Sequence, residues 1–282
     1  MSATEAPTVS YLGPEGTFSH SAALQAFGDS ASLVQVPTIA GVFHAVANGE
    51  TLLGVAPIEN SIDGGVGVAL DGLLEHGLQI QSEIVLRVSQ CLLAQHGELS
   101  RIERVYSHPQ GLGQCRGWLH AHLPHAELLV SQSTGAAAAE AARDEATAAV
   151  ASELSAGLHR LKVVARNIQD IGENITRFVV LGKQPVPRTG NDKTSLAFST
   201  PHERGALFRV LQVFDEESLN LTRIESRPSK EKLWEYVFFV DVEGHREDLP
   251  VRNAIERLEK SCSLFRILGS YPRAVEGQLP GN

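Results

Sequence analysis

Short apolar runs alternate with longer segments of helical periodicity over the first 183 residues. The apolar runs include VSYLG, LLGVAPIEN and TRFVVLG, and most of them precede a segment such as FSHSAALQAF, in which apolar positions recur at helical spacing. Strands that alternate with helices are typical of an α/β region with a largely parallel sheet covered by helices. We therefore predict such a region for residues 8–183.

The pattern changes after this region. The segment QPVPRTGNDK, residues 184–193, contains two prolines, a glycine and charged residues, and is typical of an inter-domain linker. Residues 194–272 then follow the order strand, helix, strand, strand, helix, strand, with SKEK at 229–232 as the predicted turn between the middle strands. This order predicts a ferredoxin-like βαββαβ domain with both helices on one face of its sheet. The other face would be free to meet a partner, and residues 273–282 would form a tail.

Composition and charge narrow the class of protein. Hydrophobic residues make up 43% of the chain and charged residues 20%, as in ordinary soluble domains. The net charge is −9 without a concentrated basic segment, which argues against a nucleic-acid partner. No apolar run approaches the ~18 residues that cross a bilayer, and MSATEAPTVS lacks the features of a secretory signal. Three widely spaced cysteines predict neither a disulfide framework nor a zinc site. We therefore expect a cytoplasmic protein with no membrane partner.

Four polar turns each follow a predicted strand and precede a predicted helix. They are GPEGTFSH at 13–20, ENSIDGG at 59–65, SHPQGLGQC at 107–115 and SQSTGA at 131–136. Each turn alone fits helix capping and turn formation. In open α/β sheets, however, ligands bind beyond the carboxyl ends of strands, where helix N-termini present free N–H groups and a partial positive charge. Four such turns predict a site for a small anionic ligand.

Two further segments resemble known binding motifs without matching them. GLGQCRG at 111–117 has its third glycine one position too late for a dinucleotide fingerprint, and no acidic residue follows at the required distance. The histidines of HAHLPH at 120–125 fit neither an HExxH motif nor a zinc finger. The sequence therefore predicts neither a nicotinamide cofactor nor a metal site.

The segment GENITRFVVLG combines a polar cluster with an apolar run. Phe178 to Leu181 have the pattern of a buried strand, and Asn174, Thr176 and Arg177 precede them. The polar residues form either the solvated entrance of a strand or a place where a hydroxyl beside a guanidinium takes part in chemistry. The pattern alone leaves both interpretations open.

Five motifs in order along the chain resemble those of one known family. The family is prephenate dehydratase with a C-terminal ACT regulatory domain, and its successive signatures resemble YLGPEGTFSHSAA, GVAPIENSIDGGV, SHPQGLGQCRGWL, NITRFVVLG and NLTRIESRP. The resemblance covers residues from about 9 to 272. It implies a catalytic region of two α/β lobes, similar to type 2 periplasmic binding proteins, with the active site in the cleft between them. It also implies the decarboxylating dehydration of prephenate to phenylpyruvate in phenylalanine biosynthesis, with no metal and no organic cofactor.

The resemblance assigns roles in this cleft residue by residue. Prephenate carries two carboxylates and a ring hydroxyl that must leave, so the enzyme has to orient a dianion and donate a hydrogen bond to the departing oxygen. Thr176 would be that donor, while Arg177 would supply positive charge and, with Phe178, hold the substrate or the geometry of the motif. The residues implied to bind substrate are Thr17, Glu59, Asn60, Ser61, His108, Gln110, Ser133 and Thr134.

The resemblance also assigns a regulatory site in the ACT domain, where L-phenylalanine would act as a feedback inhibitor. The residues implied to bind it are Gly205, Ala206, Leu207, Phe208, Asn220, Leu221, Glu225, Ser226, Arg227 and Pro228. The family site lies between two ACT domains, which implies a homodimer or homotetramer formed through them. The first motif commonly ends in valine in the family, whereas this chain has Phe208, a bulkier residue that would reshape the pocket.

Two alternatives stay open. Arogenate dehydratase acts on the amino-acid analogue of prephenate, and the pocket that distinguishes keto from amino side chains is not assigned by the sequence. A non-catalytic sensor of amino acids or other small molecules is the alternative from another class, because two-lobed clefts and ACT domains both bind ligands without reaction.

Overall fold

A computed structural model describes residues 6–229 and 235–274 of the chain. Within these residues the chain forms three β-sheets of six, five and four strands. The predicted turn at 229–232 and the predicted tail at 273–282 lie largely outside the described residues. No helix of the described part has the length and the apolar sequence needed to cross a bilayer.

The first lobe is built on the six-stranded sheet. Its elements are β1 (Thr8–Leu12), α1 (Phe18–Phe27), β2 (Ser32–Val36), α2 (Ile39–Asn48), β3 (Leu53–Asn60), β4 (Gly64–Gly65), α3 (Gly67–Glu75), β5 (Gln79–Arg87) and β11 (Ile175–Gly182). The strand order is β2-β1-β3-β11-β5, and the short β4 pairs with β3. Successive residues of β11 face opposite sides of the sheet: Phe178 and Val180 pack with α1, whereas Val179 and Leu181 pack with α2 and α3.

The second lobe is built on the five-stranded sheet. Its elements are β6 (Cys91–Ala94), β7 (Arg104–Ser107), α4 (Pro109–Gln114), α5 (Arg116–His122), β8 (Glu127–Val130), α6 (Thr134–Ala141), β9 (Thr147–Ala151), α7 (Glu153–His159) and β10 (Lys162–Ala165). The strand order is β10-β6-β9-β7-β8. The alanines of α6 allow this helix to lie close to β9, whose five residues are all buried.

Both sheets are mixed, so the prediction of a largely parallel sheet is wrong. Parallel pairs join β1 to β2 and β3, and join β7 to β8 and β9. In the first lobe, β11 runs antiparallel to both of its neighbours, β3 and β5. The chain leaves the first lobe after β5, builds the second lobe and returns along β11. That return places the predicted catalytic motif in the middle of the first sheet.

The ACT domain has the predicted βαββαβ order. Its elements are β12 (Asp192–Ser199), α8 (Ala206–Glu216), β13 (Leu221–Pro228), β14 (Tyr236–Glu243), α9 (Leu249–Ser261) and β15 (Leu264–Pro272). The strands form an antiparallel sheet in the order β13-β14-β12-β15. Both helices cover one face, where Leu196, Phe198 and Val240 are buried against them.

The second face of the ACT sheet is not free, contrary to the prediction, because the first lobe of the same chain covers it. Ala197, Phe239 and Tyr271 belong to the same buried cluster as the apolar residues of α2 and α3. Strand β15 lies directly on β5, since a side chain at Gly269 would collide with the backbone of Ile80. The regulatory sheet and the catalytic sheet therefore share one interface.

Candidate active site

A cleft of about 790 Å³ lies between the two lobes of the catalytic region. Hydrogen bonds between described residues link the two lobes beside it. Gln110 of the second lobe donates a hydrogen bond to Asp63 of the first. The hydroxyls of Ser152 and Ser155 in the second lobe donate to the carbonyl oxygen of Gly16, at 2.6 and 2.8 Å. These contacts hold the two walls of the cleft in a defined relation.

A buried cluster of one hydroxyl and two amides lies in the first-lobe wall. Asn60 at the end of β3 is paired in register with Thr176 near the start of β11. The Asn60 Nδ2 atom donates to Thr176 Oγ1 at 2.8 Å and to Asn174 Oδ1 at 2.7 Å. The Asn60 Oδ1 atom accepts the backbone N–H groups of Ile62 and Asp63. Because the backbone occupies the oxygen of the amide, its nitrogen has to point at Thr176.

Within residues 6–229 and 235–274, this cluster leaves two hydrogen-bond donors without a protein partner. A hydroxyl has a single proton, and the Thr176 oxygen already accepts from Asn60, so the Thr176 O–H is free to donate. Asn174 is fully buried and lines the cleft, and its Nδ2 atom has no hydrogen-bond partner among the described residues. Buried donors without partners are costly, which points to a ligand that satisfies them.

Three of the four predicted turns begin helices at the cleft. Thr17, His108 and Ser133 are the N-cap residues of α1, α4 and α6, and each side chain accepts a backbone N–H from the first turn of its helix. The turn ENSIDGG differs, because Asn60 closes it and the two-residue strand β4 comes before α3, which begins at Gly67 without a side-chain cap. The remaining N–H groups of the three helices give the cleft a partial positive charge.

Formal charges are absent from the cleft as far as residues 6–229 and 235–274 define it. Its lining contains no Lys, Arg, Asp or Glu, and His108 is its titratable side chain. Polar lining comes from hydroxyls and amides, including those of Ser19, Gln90 and Gln132. The helix N-termini and the free donors therefore act on a bound anion without competition from a carboxylate in the wall.

The structure brings most of the predicted cleft residues together. Those that line the cleft are Thr17, Asn60, His108, Gln110, Ser133, Thr134, Thr176 and Phe178. Ser61 is not among them: its Oγ atom accepts the backbone N–H of Ile175 at 3.0 Å and ties the turn after β3 to β11. Glu59 is also outside the cleft, because neighbouring residues on a strand face opposite sides of the sheet and Asn60 faces the cleft.

Arg177 is placed differently from the prediction, which had its charge in the cleft. Its side chain faces the ACT domain and is only 12% exposed. It lies 2.7 Å from Asp241, 3.0 Å from Glu59 and 3.3 Å from Glu83. Burial alone lowers the pKa of Arg177, but its carboxylate neighbours, led by Asp241, outweigh burial and raise the pKa above its ordinary value. Strand alternation explains the placement, since Thr176 and Phe178 face the cleft on either side of it.

Several polar residues of the cleft were not among the predicted site residues, and Asn174 and Gln90 have buried polar atoms without a partner among the described residues. Asn174 lies two positions before Thr176, and that spacing places both on one face of an extended segment. Gln90 lies in the connection between the lobes, and its Oε1 atom has no hydrogen-bond partner among the described residues, while its Nε2 atom donates to Gln114. The alternation of the NITRF motif could have identified Asn174, whereas no local pattern marks Gln90.

The predicted residues of the ACT site fall into separate groups within this chain. Gly205 to Phe208 line a depression of about 230 Å³ at the start of α8, and Phe208 is 69% exposed. No residue of β13 is part of the described lining of that depression. Arg227 instead faces the first lobe, where it lies 3.4 Å from Asp71.

The remaining predicted residues of β13 and its approach also differ in orientation. Glu225 faces the first lobe and pairs with Arg223. Ser226 and Pro228 are exposed, and Leu221 is half-buried against the two helices. The carbonyl oxygen of Asn220 accepts the backbone N–H of Glu243. A single chain thus separates the two predicted motifs of the regulatory site.

Two family models match consecutive parts of this chain. The family model of prephenate dehydratase matches residues 9–186, and that of the ACT domain matches residues 194–260. A bifunctional chorismate mutase/prephenate dehydratase of Aquifex aeolicus (strain VF5) is 46% identical over 95% of this chain and 74% of the relative.

Two solved structures are similar over nearly the whole chain. Prephenate dehydratase of Arthrobacter aurescens, solved in complex with L-Phe, is 36% identical with a TM-score of 0.87, over 95% of this chain and 90% of that one. A protein described as a novel type of quorum quenching acylase, GqqA, is 31% identical with a TM-score of 0.86, over 95% of this chain and 98% of that one.

Proposed function

The chain belongs to the prephenate dehydratase family, and we propose that its cleft converts prephenate to phenylpyruvate, water and carbon dioxide, with Thr176 as the donor to the departing hydroxyl. One observation carries this role. The Asn60 amide donates to the Thr176 oxygen, so the hydroxyl proton is available to the cleft. Loss of water and carbon dioxide makes the enzyme a carbon–oxygen lyase.

The wall of the cleft suits this reaction. The bond from the ring to its carboxylate breaks, the electron pair enters the ring, and the bond to the hydroxyl breaks as the ring becomes aromatic. The oxygen departs as water after it takes up one proton. Hydroxide is a poor leaving group, so a hydrogen bond from Thr176 in the transition state lowers the barrier. The helix N-termini and Asn174 hold the substrate's carboxylates, and Phe178 packs against the apolar surface of the substrate's ring.

The test of this activity is direct. We expect the purified protein, incubated with prephenate and no added cofactor, to produce phenylpyruvate and carbon dioxide in equal amounts. The measurement is the absorbance of phenylpyruvate in alkali together with evolved carbon dioxide. Absence of both products contradicts the proposal, and binding of prephenate without conversion favours the sensor.

Phenylalanine regulation is part of the same proposal. The relative from Arthrobacter aurescens was solved with L-Phe, and this chain has an ACT domain with the motifs RGALF and ESRP. These motifs are separated within one chain, which is consistent with a site completed by a second ACT domain. We expect the inhibited form to be a homodimer or homotetramer that holds phenylalanine between two ACT domains. We expect this enzyme to act in the cytoplasm. Light scattering with and without phenylalanine, together with calorimetry, tests both binding and assembly.

Other activities are distinguished by the chemistry of the cleft. Arogenate differs from prephenate in the side chain, so competition between the two substrates in one assay ranks them. The acylase-like neighbour implies amide hydrolysis, which usually needs an activated nucleophile. In the described part of the chain, no Ser or Thr hydroxyl of the cleft hydrogen-bonds the imidazole ring of a histidine; Thr17 accepts only the backbone N–H of His20. The geometry therefore favours a dehydratase over an acylase.

A further inference from the structure

A second polar cluster lies on the opposite face of the catalytic strands, between the first lobe and the ACT domain. It contains ionised side chains from both, namely Glu59, Glu83, Arg177, Lys193, Arg223 and Asp241. Most of them are strongly buried: the exposed fraction is 4% for Glu83 and Asp241 and 12% for Lys193. Each carboxylate of this interface cluster faces at least one cation. Charges buried in this way hold a specific geometry, because an unpaired member would be costly.

The interface cluster is in register with the cleft cluster. Strand pairing places Thr176 opposite Asn60 and Arg177 opposite Glu59. The hydrogen bond from Asn60 to Thr176 on the cleft face is therefore matched by the ion pair from Arg177 to Glu59, 3.0 Å long, on the interface face. A backbone that shifts at one pair has to shift at the other.

The ACT domain supplies one side of this second pair. Asp241 of β14 lies 2.7 Å from Arg177 Nη1, although the N–H direction is not that of an aligned hydrogen bond. The other oxygen of Asp241 accepts from Ser195 Oγ at 2.5 Å, and Ser195 in turn contacts the hydroxyl of the buried Tyr271 at 2.7 Å. Residues of the ACT sheet therefore hold the Asp241 carboxylate in place independently of its contact with Arg177.

The pairing of β3 with β11 is irregular at this point. The register shifts between Arg177 and Phe178, directly after the residue that Asp241 holds. A bulge bends a strand and re-aims the side chains beside it. The extra residue is Ile58 of β3, so the pairs of Glu59 with Arg177 and of Asn60 with Thr176 lie together at the bend, and the position of Arg177 is coupled to that of Thr176.

We propose that Asp241 of the ACT domain is a positioning residue for the dehydratase reaction, which acts through Arg177 to hold Thr176 in its reactive orientation. This inference rests on the proposed function of the cleft. It also gives the regulatory domain a physical route to the chemistry, because any movement of β14 relative to β11 changes the contact between Asp241 and Arg177. A misplacement of about 1 Å at a reacting group can cost about 100-fold in rate.

The first experiment compares Asp241→Asn with the wild-type protein in the prephenate assay. We expect kcat to fall about 10- to 100-fold while KM stays within about threefold, since Asp241 does not line the cleft. The matched control is Glu243→Gln on the same strand, which breaks the 2.7 Å ion pair with Arg273 and leaves the interface cluster intact. Unchanged kcat in Asp241→Asn, or an equal loss in the control, overturns the inference.

A double-mutant cycle separates positioning from general loss of structure. In an Arg177→Lys background, Asp241→Asn should cost much less kcat than it does in the wild type, because its target has already been altered. Additive losses overturn the inference. Wild-type protein that makes no phenylpyruvate contradicts the proposed function itself, so the two failures are distinguishable.

A second variant covers the case in which Asp241→Asn does not fold. Ser195→Ala removes the hydroxyl that fixes Asp241 but keeps every charge. We expect it to lower kcat several-fold with KM unchanged and the circular dichroism spectrum preserved. If Ser195→Ala has wild-type kcat, Asp241 does not position the catalytic strand.

Discussion

Two buried polar clusters lie back to back across β3 and β11, and they differ in how their polar groups are satisfied. The cleft cluster of Asn60, Asn174 and Thr176 is neutral and leaves donors open towards the cleft. The interface cluster around Arg177 is ionised, and its charges are paired with one another. Unsatisfied donors are available to a ligand, whereas paired charges are not. The cleft therefore acts on its substrate through dipoles, and formal charge is used for the contact with the ACT domain.

The largest expected effect tests the open hydroxyl of the cleft cluster. Thr176→Ala removes the donor to the departing oxygen, and we expect kcat to fall by about 100- to 10,000-fold, the range typical of a lost acid–base group. The phenylpyruvate assay measures this loss. Thr176→Ser keeps the hydroxyl and serves as the control, so it should retain much more activity. Near-normal turnover of the alanine variant, with an unchanged thermal midpoint, would remove Thr176 from the chemistry.

The next effect tests the paired charge of the interface cluster. Arg177→Gln leaves Asp241, Glu59 and Glu83 without their shared cation, and we expect the free energy of unfolding to fall by about 3–5 kcal/mol. Urea unfolding followed by circular dichroism measures it. The control is Arg166→Gln, which breaks an exposed pair with Glu153 and should cost at most about 1 kcal/mol. A variant as stable as wild type, with only KM raised, would instead place Arg177 at the substrate.

The two clusters also differ in how far the sequence alone could predict them. The α/β class, the ACT domain and most of the cleft residues follow from motifs whose order along the chain is readable. The side of Arg177 was readable too, because a residue between Thr176 and Phe178 on a strand faces away from both. Because Thr176 and Arg177 are adjacent in the sequence, their side chains were predicted to share one site. Successive residues of a strand face opposite sides of the sheet, so the two side chains lie on different faces.

The interface between the sheets could not be predicted in this way. The covered face of the ACT sheet combines the polar Ser195 and Asp241 with the apolar Ala197 and Phe239, a mixture that does not reveal from the sequence what lies against it. Only the three-dimensional arrangement shows that Arg177 and Glu83 of the first lobe are complementary to it. The mixed direction of the sheets has the same origin, since the return of the chain along β11 is a long-range event with no local signal.

A smaller effect sharpens the role of the open amide. Asn174→Asp keeps the oxygen that accepts from Asn60 but places a carboxylate oxygen where the unpartnered Nδ2 atom faces the cleft. A dianionic substrate would be repelled, so we expect KM for prephenate to rise about tenfold or more at neutral pH. Steady-state kinetics measure it. The control is Glu50→Gln, at an exposed residue that accepts a hydrogen bond from Asn48, and it should leave KM unchanged. Unchanged KM would show that Asn174 does not contact the substrate.

The smallest effect concerns acid stability on the cleft side of the sheet, where polar groups are neutral. His20 is buried against Tyr11, and its Nδ1 atom accepts the backbone N–H of Gly16 at 3.1 Å, so the bond requires an unprotonated ring. Burial lowers the pKa of His20 below the ordinary 6.5, and Glu15 only partly opposes this. The unfolded chain then binds the proton more readily than the folded one. The contribution of His20 to stability is therefore complete above about pH 6.5 and declines as the pH falls through the folded-state pKa.

Urea unfolding at several pH values between 8 and 5 should show a shallower loss of stability for His20→Gln, which keeps an acceptor without titrating. If stability falls equally steeply with decreasing pH in the two proteins, protonation of His20 does not destabilise the fold. The hydrogen bond from Gly16 would then not require a neutral ring.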